Sequence, residues 1–144
     1  MDSIKVIRLY AMSEPFNPEK YEKLQGLPLG MYAIETAKQG QLPPDCVQYV
    51  KSNADRWDGQ HLEMGIFFLS KIDSTEAWHE IARHLDHPLK HIRYTVLGFI
   101  NHRMTQIDAC IIERLRSRLA QEVDDFEKPW LEEVYKNASK KFAG

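Results

Sequence analysis

The sequence predicts an all-α fold made of stacked helical hairpins, and three observations carry the prediction. Apolar residues recur at spacings of three and four through most of the chain. Candidate caps and prolines stand where those stripes begin. Finally, Ile81–Asn101 reads as helix, turn, helix, and a related pattern lies thirty residues upstream, with a looser one downstream around Leu119–Ser139.

Taken in order, Ile4, Val6, Ile7, Leu9, Tyr10 and Met12 fit a helix opened by Ser3 better than a strand, since Lys5 and Arg8 then share a face. Glu14-Pro15 to Asn17-Pro18 ends it. Asn17 caps a short helix with Pro18 at its first position, and Gly26 and Pro28 break it. Met31, Tyr32, Ile34 and Ala37 form the next stripe, stopped by Gly40. Pro43-Pro44 opens a helix with Cys46, Val47, Tyr49, Val50 and Ala54. Leu62, Met64, Ile66, Phe67, Leu69 and Ile72 surround much of the following helix, which predicts deep burial. Asp73 or Ser74 caps a helix carrying Ala77, Trp78, Ile81, Ala82 and Leu85. His87-Pro88 turns the chain into Leu89, Ile92, Val96, Leu97, Phe99 and Ile100. Asp108 begins a helix with Ile111, Ile112, Leu115 and Leu119, and the last holds Trp130, Leu131, Val134, Tyr135 and Ala138. The expected organisation is one domain: N-terminal cap helices over 1–42, about three hairpins over 43–138, and a frayed tail over 139–144.

Aligning Gln60-His61-Leu62 with Lys90-His91-Ile92 sets Ile66, Phe67 and Leu69 opposite Val96, Leu97 and Phe99 without a gap. One amphipathic hairpin cannot cover its own apolar face, so successive hairpins stack and share a core. The turns supply an acid for the free amides of the second helix, as Asp86 and Asp125 do, and proline where amides are unpaired, as at Pro88 and Pro129. Asp86, Pro88, Ile92 and Arg93 follow the order of the turn motif in HEAT repeats, which this segment resembles. The Arg position holds Glu63 in the upstream unit and Glu132 in the downstream one. The resemblance covers about residues 43–138 and implies a short right-handed HEAT-like α-solenoid of six or seven helices.

With hydrophobic residues at 43% and charged ones at 28%, the chain has the composition of an ordinary globule and not of a disordered segment. A formal charge of −2 gives no general attraction for nucleic acid or an anionic membrane and favours a basic partner. No apolar run is long enough to span a bilayer, and the acidic N-terminus is unlike a signal peptide. Cys46 and Cys110 fall in helical stripes without metal-like spacing, so two buried free thiols in a reducing cytoplasm are expected.

Enzyme motifs are absent, and neither a cofactor nor a metal is expected. His84, His87 and His91 have ligand-like spacing, but Pro88 interrupts the helix face they would share. His79-Glu80 and His102-Arg103 read as isolated pairs. Arg114, Arg116 and Arg118 ring their helix instead of lining one groove. Stacked turns would instead align acids along one edge: Asp55, Asp58 and Glu63, then Asp86, then Asp124, Asp125, Glu127 and Glu132. Tyr94 is a candidate anchor beside them, as are Trp57, Trp130 and Tyr135. The expected function is thus a non-catalytic protein-binding module with a basic protein partner. In size and charge the chain is similar to small HEAT-like bacterial immunity proteins that cover the active site of a nuclease toxin. The alternative is a HEAT-like nucleic-acid-binding protein or DNA/RNA-modifying enzyme using Arg103–Arg118, against which the overall acidity counts.

Overall fold

The computed structural model describes residues 14–102, 107–121 and 124–143, so the expected first helix and Arg103 lie outside the described residues. Within them the chain is all-α. Its helices are α1 (Pro18–Lys23), α2 (Gly26–Lys38), α3 (Cys46–Asn53), α4 (Gly59–Ile72), α5 (Thr75–Ala82), α6 (Lys90–His102), α7 (Ala109–Ala120) and α8 (Glu127–Ala143). A short 3₁₀ turn, Arg83–Asp86, continues α5. These eight exceed the six or seven expected. Leu24 and Gln25 are extended and separate α1 from α2, so Gly26 opens the second helix instead of breaking the first.

Local chemistry explains where the helices begin. Asn17 Oδ1 accepts from the Lys20 amide at 3.2 Å, Asp58 from His61 at 2.9 Å, Ser74 from Ala77 at 3.1 Å and Asp108 from Ile111 at 3.1 Å. Each bond satisfies an amide that has no partner within its own helix. At the last turn Asp124, not Asp125, takes this role, accepting from Phe126 and Glu127 at 3.0 and 2.7 Å. Asp86 closes the 3₁₀ turn and caps nothing in α6; it faces Arg118 instead.

The helices form two layers. In one, α5 packs between α3 and α7. In the other, α2, α4, α6 and α8 follow one another, and α1 rests on α2. Across the layers α3 pairs with α4, the α5 turn with α6, and α7 with α8, an arrangement compatible with a helical repeat. One core cluster runs between the layers, with Leu62, Ile66, Leu69, Trp78, Ile81, Ile92, Leu97 and Ile100 fully buried. At the α1 end Phe16, Tyr21, Tyr49, Trp57 and Phe68 interlock with ring centroids 5.5–5.9 Å apart. No helix among the described residues is long and apolar enough to cross a membrane.

Several expectations need correction. The buried face of α2 is Leu29, Ala33 and Thr36, whereas Met31 and Ile34 are 61% and 57% exposed. Among the described residues that helix ends the second layer and packs mainly on α4 and α1. Ile72 and Leu89 are likewise exposed. Cys46 is buried but Cys110 is exposed, because Ile111, Ile112 and Leu115 define the inward face of α7. The tail does not fray at 139: α8 runs to Ala143, with Lys140 and Lys141 complementing the negative end of its dipole.

The α3–α4 crossing sets up a comparison between two glycines. A Cβ at Gly65 would lie 2.9 Å from Cζ3 of the packed Trp57 ring and 3.3 Å from Val50 Cγ1, while one at Gly98 meets nothing within 4 Å. Alanine gains about 1 kcal/mol over glycine in a helix interior, but overpacking costs about 1–3 kcal/mol. Gly98→Ala is therefore expected to raise the melting temperature and Gly65→Ala to lower it. Thermal denaturation followed by circular dichroism checks the opposite signs.

Candidate protein-binding face

Several acids near the turns are engaged by basic residues of a neighbouring unit. Arg56 pairs with Glu22 at 2.7 Å, Arg83 approaches Asp55 at 3.6 Å, and Arg118 approaches Asp86 at 3.8 Å. In each pair an acid of one unit meets an arginine 28–34 residues later. Lys90 lies 4.0 Å from Asp124. Asp58 caps α4 and also contacts His61 Nδ1 at 2.9 Å; hydrogen bonds from the His61 amide and ring outweigh desolvation and hold its carboxyl below the usual range. Acids and arginines therefore alternate here, with Asp55 still 90% exposed beside Arg83 and Asp125 and Glu132 also exposed.

Glu127 departs furthest from its expected surface role. It is 1% exposed and lies between two arginines, accepting from Arg93 Nε at 2.8 Å and from Arg118 Nη2 at 2.8 Å. Arg93 is itself buried and donates from Nη1 to the carbonyls of His87 and Pro88 at 2.8 and 3.1 Å. The single arginine of the repeat-like turn thus ties its own turn to the following unit. Arg114, Arg116 and Arg118 diverge as their spacing requires: one lines a groove, one pairs with Glu113 outside, one points to Glu127.

The remaining expected residues meet on the outward side of the second layer. Tyr94 of α6 packs against Trp130 of α8 at 5.3 Å between centroids and against Phe126 at 5.9 Å. Tyr94 and Trp130 are half-buried, whereas Phe126 is 74% exposed. Asp124 and Asp125 precede that ring and are exposed, as is Glu132 on α8. Glu63 lies further along the layer, where it lines a shallow apolar cavity of about 220 Å³ with Ile34, Met64, Phe67, Thr95 and Phe99. Trp57 and Tyr135 do not join this face. Trp57 is buried and donates from Nε1 to Glu22 at 2.8 Å, and the half-buried Tyr135 hydroxyl accepts from Arg116 at 3.4 Å.

On the opposite layer α3, α5 and α7 border an open groove of about 440 Å³, lined by Lys51, Glu76, His79, Glu80, Arg83 and Arg114 among others. Burial alone would raise the Glu80 carboxyl, but hydrogen bonds from His84 and Arg83 prevail and hold it low. His84, His87 and His91 are separately occupied: His84 Nε2 lies 3.0 Å from Glu80, His87 Nδ1 accepts from the Leu89 amide, and His91 sits against Gly59. His79, by contrast, is not isolated. Its Nε2 lies 2.6 Å from Asp108 Oδ2, with the Cys110 thiol close by.

No family model, curated protein sequence or solved structure gives a significant match to the chain.

The sequence reading missed Phe126, Met64, Phe67 and Phe99 as surface residues and His79 as a partner of Asp108. Phe126 follows two acids and precedes the helix, a position with no periodicity to mark its exposure. The His79–Asp108 contact had a signal: two residues about one thirty-residue repeat apart occupy adjacent units.

Proposed function

We propose that the chain is a non-catalytic protein-binding module that captures a basic partner on the outward face of α6 and α8. The observation supporting this most strongly is Phe126, a mostly exposed aromatic ring backed by Tyr94 and Trp130 and preceded by Asp124 and Asp125. Exposing such a ring to water is unfavourable, and rings held by other aromatics form interface anchors at little entropic cost. Neighbouring carboxylates attract cationic groups and speed encounter. The HEAT-like reading of the stack draws support from neighbour-to-neighbour packing and from the place of Arg93 in its turn; the right hand of the expected solenoid rests on the resemblance alone. Within that plan a basic nuclease toxin is the narrower choice of partner, neutralised by steric cover of its active site; it rests on size and charge.

Two baits from the same host lysate test the reading: the full chain and its Phe126→Ala variant. A basic protein retained by the first and reduced at least tenfold on the second is the expected result, since loss of a central aromatic anchor costs about 2 kcal/mol or more. Association of that partner should slow with added salt and with Asp125→Lys, which removes no helix cap. Equal retention by both baits would overturn the proposal.

A further inference from the structure

We propose that His79, Asp108 and Cys110 form a zinc-binding site at the α5–α7 junction, beside the groove that His79 also lines. The three donor atoms come from two adjacent units and lie within 4.8 Å of one another. Zinc holds such ligands at about 2.0–2.3 Å, and tetrahedral geometry then separates the donors by about 3.3–3.6 Å. The sulfur then has to approach by about an ångström, within reach of rotation of the exposed Cys110 side chain, while the His79 and Asp108 donors, now 2.6 Å apart, separate by a little less than that.

Each ligand is already directed. Asp108 uses Oδ1 to accept the Ile111 amide at 3.1 Å, which fixes the carboxylate and leaves Oδ2 for His79 at 2.6 Å. A metal would take the place of the proton now shared between these two groups, and the capping bond would serve as the outer hydrogen bond that orients a liganding carboxylate. His79 stands between the buried Trp78 and Glu80 on α5, its own side chain part-exposed. Cys110 lies in the first turn of α7, two residues after Asp108, and its side chain is exposed. Binding releases the thiol proton to solvent. A His–Asp tie between helices needs no third group; a thiol at the same point is what distinguishes a ligand set from a tie. Nitrogen, oxygen and sulfur donors together suit zinc, and three protein ligands leave one position for water or for a group held in the groove. Glu76, one turn before His79, lines that groove.

The other cysteine provides an internal control. Cys46 is buried in α3, and burial pushes its thiol up to about 12, so it stays protonated and bound in the core. Tag-free protein stripped with chelator should take up one equivalent of zinc in competition with a chromophoric chelator. His79→Ala, Asp108→Asn and Cys110→Ser should each weaken uptake at least tenfold. Asparagine retains the helix cap and serine replaces an exposed thiol, so both variants should keep the wild-type circular dichroism. Cobalt in place of zinc should give a thiolate-to-metal charge-transfer band that Cys110→Ser abolishes and Cys46→Ser preserves. Absence of uptake by the wild type, or uptake unchanged in Cys110→Ser and His79→Ala, would overturn the assignment. Binding here does not depend on the protein partner, so either proposal can fail alone.

Discussion

Replacing Glu127 with alanine is expected to lower the stability of the chain by about 3–5 kcal/mol, the cost of removing one partner from a buried ion pair. The carboxylate is 1% exposed and receives Arg93 and Arg118 at 2.8 Å each. The variant would leave two guanidinium groups facing one another, with side chains only 11% and 13% exposed. Arg93 is also held by the His87 and Pro88 carbonyls, and Arg118 by Gln121 and Asp86, so neither is free to swing out to water. For a domain of this size the loss corresponds to a fall of roughly 10 °C or more in Tm. Glu127→Gln, which keeps the shape and one acceptor but not the charge, should fall between wild type and alanine. A shift under 2 °C for the alanine variant would show that the triad contributes nothing to stability.

The second large effect concerns Trp78, the largest fully buried side chain. Trp78→Ala should cost about 3–5 kcal/mol, because the lost transfer energy is joined by a cavity that the surrounding helices fill only in part. Its indole Nε1 also donates to Asp73 Oδ1 at 2.6 Å, tying α5 to the preceding turn, where Asp73 itself adopts a positive φ of 52°. Trp78→Phe preserves most of the apolar volume and removes the hydrogen bond, so it should cost less than half as much. Urea denaturation with an unchanged m-value would assign the difference to the folded state. Equal losses for the two variants would mean that the hydrogen bond, not the volume, dominates.

The sequence is most legible where short-range rules act alone. Asn17, Ser74 and Asp108 cap helices because a side-chain oxygen placed before an apolar stripe meets a free amide whatever the tertiary context. Ala77, Trp78, Ile81, Ala82 and Leu85 are all buried, since α5 has neighbours on both sides in its layer. Legibility fails where position in the stack decides. At the end of the second layer α2 leaves Met31 and Ile34 exposed, which no periodicity can foretell. Glu127 resembles any acid of a solvated turn until Arg93 and Arg118, thirty-four and nine residues before it, are brought to the same point. The candidate face follows the same division. Tyr94, Asp124 and Asp125 were visible as residue types near turns, whereas Phe126 and the cavity around Phe67 needed the packed helices to define them.

The bonds between neighbouring hairpins also bear on how the chain reaches its fold. The side-chain bonds that tie one unit to the next join residues 28–40 apart in sequence, from Tyr21–His61 at one end to Asn101–Asn137 at the other. None of these ties asks the two ends of the chain to meet. Loop closure therefore never becomes expensive, and such low contact order belongs to chains that fold rapidly. Each hairpin needs only its neighbour in order to dock, and the α6–α8 contact at Glu127 joins the last pair.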